Sequence, residues 1–344
     1  MDNILEVKNL SISFGTGSGR VQAVRDVSFS LKRGETLALV GESGSGKSVS
    51  TRAVMGILSP NAKIDRGEIL FEGKSILELG ERDMCRLRGD KIAMIFQDPM
   101  SSLNPIVKVG RQLCEAMLLK KRCKRSEAKK RAVRLLSEVG IPNPESSFDK
   151  YPFEFSGGQR QRIVIAIALC TNPELLICDE PTTALDVTIQ AQILELIERL
   201  KRERGLSVIF ITHDLGVVAR VADRIAVMYA GKILEYGLCD EVFYDPRHPY
   251  TWALLCSTPD LDTQGRLSCI SGTPPNMSEK ICGDAFAPRN PYALKIDFEC
   301  EPPLFAVSPT HSAATWLLHP DAPKVEMPRQ LSERIARSKK ELYE

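Results

Sequence analysis

Three short segments carry nearly all the chemistry in this chain. Gly41-Glu42-Ser43-Gly44-Ser45-Gly46-Lys47-Ser48 fits the phosphate-loop pattern G-x-x-x-x-G-K-[ST]. Glycines let the backbone approach a triphosphate and turn its N–H groups inward, and the start of the following helix adds partial positive charge. Lys47 is expected to reach the β- and γ-phosphates and the Ser48 hydroxyl to ligate Mg²⁺. Further on, four apolar residues, Leu175 to Cys178, end in Asp179 and Glu180. Both carboxylates therefore lie at the C-terminal edge of a buried strand, where open α/β sheets place their ligands. Asp179 suits an Mg²⁺ ion held through water, and Glu180 suits a general base acting on the attacking water. Between these segments lies Ser156-Gly157-Gly158-Gln159 at the start of a helix, a second anion-binding end. It belongs to a separate helical lobe, so the two phosphate-binding ends do not share a ligand within one chain. That arrangement calls for a second chain.

Two further residues follow buried strands. Gln97 ends Ile92–Phe96 and can report on metal and water. His213 follows Ile209-Phe210-Ile211-Thr212, where a γ-phosphate contact would be made. His248, His311 and His319 have no such placement.

The elements that must position these groups read as an α/β chain. Leu10, Ile12 and Phe14 alternate with polar residues, as does Val21–Leu31, with a glycine-rich turn from Gly15 to Gly19 between them. Those glycines do not fit the dinucleotide pattern G-x-G-x-x-G. Thr36–Val40 is a short strand leading into the phosphate loop, and Ser48–Leu58 is a helix ahead of Pro60. A helix is expected from Ser126, as its N-cap, to Gly140, with Ala128, Ala132, Leu135, Leu136 and Val139 as its buried side. Strands at 175–178, 207–211 and 224–229 alternate with helices, the pattern of a mostly parallel sheet covered on both faces. The stretch from about 100 to 160 is all-helical. Beyond about 260 prolines become dense and only Leu331–Glu344 reads as helix, so 261–344 is expected to be an accessory region.

Composition narrows the classes. The chain has 344 residues, 43% of them hydrophobic, enough for a large domain plus an appendage. A net charge of +2 gives no bulk reason to expect nucleic acid or an anionic membrane surface. The nine Lys/Arg residues between Lys120 and Arg134 read as a solvated helix face. Ten scattered cysteines without a C-x-x-C pair suit reduced thiols. No signal peptide and no apolar stretch long enough to cross a bilayer is read from the sequence.

Over residues 4 to 260 these motifs resemble the ATP-binding subunits of ABC transporters. The resemblance implies a P-loop NTPase fold with a RecA-like parallel core, an antiparallel β subdomain and a helical subdomain, residues 1–260 forming the nucleotide-binding domain. It implies Phe14 as the adenine-stacking aromatic, Gly41–Ser48 as Walker A, Gln97 as the Q-loop, Phe155–Gln159 as the signature and Leu175–Glu180 as Walker B. Ala184-Leu185-Asp186 becomes the D-loop and His213 the switch histidine. Phe155 replaces the usual leucine. A narrower resemblance, to the oligopeptide/dipeptide/nickel importer branch, rests on Ile95–Pro105, Glu154–Gly158, His248-Pro249-Tyr250-Thr251 and Gly283–Leu294.

That branch implies ATP and Mg²⁺, the latter through Ser48, Gln97 and Asp179. It also implies a homologous second ATPase subunit, two permeases and, indirectly, an extracellular peptide-binding protein, at the cytoplasmic face of the bacterial membrane. Oligopeptides or dipeptides are the expected cargo, with nickel or another small solute as the alternative. A ribosome- or nucleic-acid-associated ABC ATPase is disfavoured by the single cassette and short lobe. Many relatives carry four cysteines for a [4Fe–4S] cluster in the C-terminal region. Here those places read Asp284, Asn290, Asp297 and Thr315, and no cluster is expected.

Overall fold

Short runs of apolar residues too brief for helices become fully buried strands. The computed structural model describes residues 3–17, 19–98, 102–119, 123–183, 185–258, 270–279 and 281–343. In chain order the strands are β1 (Asn3–Thr16), β2 (Gly19–Lys32), β3 (Thr36–Val40), β4 (Ala62–Phe71), β5 (Lys74–Ser75) and β6 (Ile92–Ile95). They continue as β7 (Leu175–Asp179), β8 (Ser207–Thr212), β9 (Arg224–Tyr229), β10 (Lys232–Leu238), β11 (Phe305–Ala306) and β12 (Ser312–Ala313). The chain forms two compact units, each assembled from separate segments.

One unit gathers Leu5–Ser30, Thr36–Ser75 and Thr212–Glu344. It contains an antiparallel sheet in the order β2-β1-β4-β5, with β1 and β4 in register from Leu5–Phe71 to Phe14–Ala62 and a bulge near Lys8–Ser11. The hairpin expected between the first two strands is present; β4 and β5 were not read from the sequence. Alongside lies β3, parallel to β9, which continues antiparallel through β10 and β12 to β11. Every residue of β3 and of β9 is buried. Their apolar runs fit a parallel pair buried on both faces. Residues beyond 270 hold more structure than the single expected helix. They add a helix at Lys295–Glu299 and strands β11 and β12 before the helix Arg329–Tyr343. Phe286, Leu331 and Ile335 share a hydrophobic cluster with Val40, Tyr229 and Tyr250.

The other unit gathers the chain up to Ile4, Leu31–Glu35 and Ile76–Ile211. Its strands β6, β7 and β8 are parallel and in register, Ile92 beside Leu175 and Leu175 beside Ser207. Helices Val109–Leu119, Arg125–Glu138, Pro144–Ser147 and Gly157–Leu169 make up the helical stretch. Ala128, Ala132, Leu135 and Leu136 are buried, as the 3.6-residue spacing requires. The expected cap at Ser126 is displaced: Lys124 is the N-cap residue and provides no side-chain bond, while Ser126 lies inside the first turn. Glu127 in that turn complements the helix dipole instead.

Candidate nucleotide-binding site

The phosphate loop joins β3 to the helix Lys47–Val54, whose N-cap is Gly46. Two of its glycines are forced by geometry. Gly41 has φ 150°, and a Cβ there would lie 2.0 Å from the Met228 carbonyl oxygen. Gly46 has φ 100°, and its Cβ would come within 2.6 Å of the Ala23 carbonyl oxygen. An L side chain at either position would meet rigid backbone. Ser43 and Gly44 are exposed at the tip, whereas Lys47 is 5% exposed. Its Nζ donates to the carbonyls of Gly41 (2.7 Å) and Glu42 (2.8 Å) and to Ser45 Oγ (3.3 Å). The ammonium is thus drawn back across its own loop, with the first-turn Ser48 partly buried beside it.

The loop is also held from behind. Glu42 N–H donates to Tyr250 Oη at 3.0 Å, and the Glu42 carboxylate accepts two bonds from the Arg289 guanidinium, at 2.6 and 3.0 Å. Arg289 Nη1 also donates to Tyr229 Oη at 3.1 Å. The Glu42 carboxylate raises the Arg289 pKa further above its usual value, and burial raises that of Tyr250. Tyr250 and Arg289 were noted in the sequence only as members of the importer-branch motifs, with no role at this loop. Nothing local could reveal them, since Arg289 lies 247 residues from Glu42.

Two other candidates lie in the same unit. Phe14, half-buried near the end of β1, pairs with Ala62. His213 is exposed at the end of β8, just before Asp214, whose carboxylate caps the next helix by accepting from the Gly216 and Val217 N–H groups. Two of the histidines set aside are buried and structural. His248 is fully buried, accepts the Tyr250 N–H at Nδ1 and has its pKa lowered by burial to about 3, so it is neutral. Buried His311 contacts Glu235 at 2.8 Å.

In the other unit Asp179 ends β7, and Glu180 follows it directly. Asp179 is 2% exposed, and Glu180 turns into the left-handed region at φ 48°. A non-glycine residue held there costs on the order of 1–3 kcal/mol, and such positions cluster at functional sites. Glu180 Oε2 accepts from Gln97 Nε2 and from the Thr183 hydroxyl, both at 2.9 Å. Gln97 and Glu180 are therefore brought together, and Thr183 is a third member that sequence reasoning missed.

Ser156 is the N-cap of the helix Gly157–Leu169 in a reciprocal capping box with Gln159. Ser156 Oγ accepts the Gln159 N–H and Gln159 Oε1 accepts the Ser156 N–H. The box therefore already engages the Ser156 hydroxyl and two of the N–H groups. Gly158 packs closely on the next helix, where a Cβ would lie 2.6 Å from Ile189 Cγ2. Phe155 is buried. Gln161, also missed from sequence, is 1% exposed and donates to the Pro181 carbonyl at 2.7 Å, tying the signature helix to the turn after Glu180. Asp186 caps the helix Val187–Arg204 by accepting from Ile189 N–H. Ala184 lies outside the described residues.

Asp284, Asn290, Asp297 and Thr315 are buried, and each side chain accepts a neighbouring backbone N–H. Asp284 accepts from Phe286, Asn290 from Tyr292, Asp297 from Leu294 and Thr315 from Leu317. Cys282 and Cys300 are exposed thiols. Among the described residues no group of three or more His, Cys, Asp or Glu could hold a metal ion, and no helix is long and apolar enough to cross a membrane.

A glycine-turned phosphate loop, a strand-end carboxylate pair and a capped S-G-G-Q helix together define an ATP-binding cassette. The ABC transporter family profile matches residues 24–183, and that of the oligopeptide/dipeptide transporter C-terminal region matches residues 234–296. The chain is 60% identical to the Bacillus subtilis oligopeptide transport ATP-binding protein OppD, over 96% of this chain and 94% of that protein. It is 56% identical to the Lactococcus lactis dipeptide transport ATP-binding protein DppD, over 94% and 93% respectively. Among solved structures it resembles the dimeric cassette MJ0796 in its post-hydrolysis state with ADP and phosphate. That match has a TM-score of 0.61 at 28% identity, over 68% of this chain and 98% of that one. The chain belongs to the ATP-binding subunits of ABC transporters, in the oligopeptide/dipeptide branch, and is an ABC ATPase.

Proposed function

We propose that this subunit powers peptide uptake from the cytoplasmic face of a bacterial membrane, paired with a homologous ATPase subunit and two permeases. An extracellular peptide-binding protein would supply the cargo. Residues 1–260 act as the nucleotide-binding domain, with its helical subdomain at about 100–160, and 261–344 as an accessory region. Phe14 stacks on the adenine. The inward N–H groups of residues 41–48 and the Lys47 ammonium take up phosphate charge, Lys47 exchanging its bonds to loop carbonyls for phosphate oxygens.

The donor set suits a hard divalent cation, because Ser48, Asp179 and Gln97 all offer oxygen. Ser48 and Gln97 would hold Mg²⁺ directly and Asp179 through water. When bound, the ion neutralises phosphate charge. Glu180 accepts the proton of the attacking water, and His213 bears on the terminal phosphate. Gly157 and Gly158 keep N–H groups that the capping box leaves for a nucleotide held by the partner ATPase, with Ser156, Gln159 and Asp186 shaping that surface. ATP then acts as interfacial glue, and its preference for the closed pair drives the conformational cycle.

One observation carries the hydrolytic role: Glu180, at a left-handed φ, is held by both Gln97 and Thr183. The test is Glu180→Gln. It should keep ATP binding, trap the ATP-bound pair and lower turnover by about a hundredfold or more, the scale of a lost general base. Normal ATPase activity in that variant would refute the role.

A further inference from the structure

An arginine of the C-terminal region, Arg289, is bonded to the phosphate loop. Arg289 is 5% exposed at the end of a 3₁₀ turn, Ala287–Arg289. Its Nε donates to the Ser271 carbonyl at 2.9 Å, fixing the guanidinium plane. The outer nitrogens form a two-pronged bond to Glu42, and one of them also reaches Tyr229. Planar two-point pairing of this kind sets orientation as well as energy.

Glu42 is the second residue of the phosphate loop, and its own N–H is held by Tyr250. Tyr250 in turn packs on Phe286, with ring centres 5.2 Å apart, three residues before Arg289. Both ends of Glu42 are therefore secured by one block that includes residues 286–289. A cleft of ≈140 Å³ is lined by Ser43–Ser45 of the loop together with Pro274, Pro275 and Met277.

We propose that Arg289 is a positioning residue for the nucleotide: through Glu42 it sets the backbone of the phosphate loop, so the C-terminal region and the nucleotide are thermodynamically coupled. The proposal rests on reading Gly41–Ser48 as a nucleotide site. Coupling is reciprocal. Nucleotide binding therefore steadies residues 284–290, and loosening Arg289 weakens nucleotide binding.

The test uses the full chain and Mg·ADP. Arg289→Gln and Glu42→Gln should each weaken ADP binding about tenfold, the scale of one charge-assisted hydrogen bond. The double variant should be no weaker than either single, because each removes the same tie. In the wild type, ADP should slow hydrogen exchange at residues 284–290, and in Arg289→Gln it should not. Where Arg289→Gln does not fold, Arg289→Lys decides, since it keeps the charge and loses the fork. A lowered melting temperature with ADP affinity within about twofold of wild type means a structural staple only and overturns the proposal. Unchanged exchange at 284–290 on adding ADP overturns it as well. Wild-type chain that binds no ADP would instead overturn the nucleotide reading itself.

Discussion

Replacing Asp284 by asparagine should make the protein more stable at neutral pH, by an amount that grows with pH. Asp284 is 5% exposed, and burial raises its carboxyl pKa from 3.8 to about 6. Asp297 and Glu301 push the same way, against the Phe286 N–H bond and the Arg25 charge. Between those two pH values the folded chain binds more protons at this site than the unfolded one. The contribution is therefore fully present below about pH 4 and is lost as pH rises through about 6. A change of about two pKa units corresponds to roughly 3 kcal/mol.

Asparagine stays neutral and keeps an oxygen to accept the Phe286 N–H, so it should avoid that loss. The difference between variant and wild type should be near zero at about pH 4 and reach about 2–3 kcal/mol above pH 7. His248 titrates in the opposite sense, its folded pKa being lowered to about 3, but it is common to both proteins and cancels. Denaturant unfolding followed by tryptophan fluorescence suits the measurement. Trp252 and Trp316 are the two tryptophans, and both lie in the unit that holds Asp284. A difference that does not change with pH, or a variant weaker than wild type at pH 7.5, would refute the reasoning.

Gly41→Ala should abolish ADP binding, read by calorimetry, because its methyl group would lie 2.0 Å from the Met228 carbonyl oxygen. Unchanged affinity would show that the backbone can give way. Phe210→Ala, at a fully buried position in β8, should cost about 3–5 kcal/mol and visibly lower the melting temperature. Ser156→Arg should leave ADP binding to the isolated chain intact but depress ATP hydrolysis in the assembled transporter. Equal hydrolysis would argue against a signature surface that serves the partner's nucleotide. Protein purified without oxygen should contain no stoichiometric iron, and bound iron with a visible absorption band would overturn the reading of the C-terminal positions.

Much of this protein was legible as sequence because its chemistry is local. A phosphate loop needs glycines at fixed spacing beside a strand and a helix, and Gly41–Ser48 displays all of that in eight consecutive residues. Strands β7 and β9 were readable because each contains an apolar run, Leu175–Cys178 and Ile225–Tyr229, and the buried face of Arg125–Glu138 because its period is 3.6. The helix start at Ser156 is likewise signalled within four residues, Ser156 to Gln159. The antiparallel strand β4 escaped because its burial is patchy, mostly exposed from Ala62 to Glu68, which leaves no apolar period to detect.

Tertiary structure decided what depends on distant residues meeting. The meeting of Gln97 with the Glu180 carboxylate, 83 residues away, needs β6 and β7 in parallel register. The Arg289–Glu42 fork joins residues near opposite ends of the chain, and no local propensity encodes such a pair. Strand β12 has two residues and no signal of its own; it forms because β10 offers it backbone partners at Glu235 and Tyr236. The proline-rich stretch after 270 lacks periodicity, yet Phe286 and Leu331 join the cluster around Tyr229. Burial there follows from shape and contact, which a one-dimensional pattern does not carry.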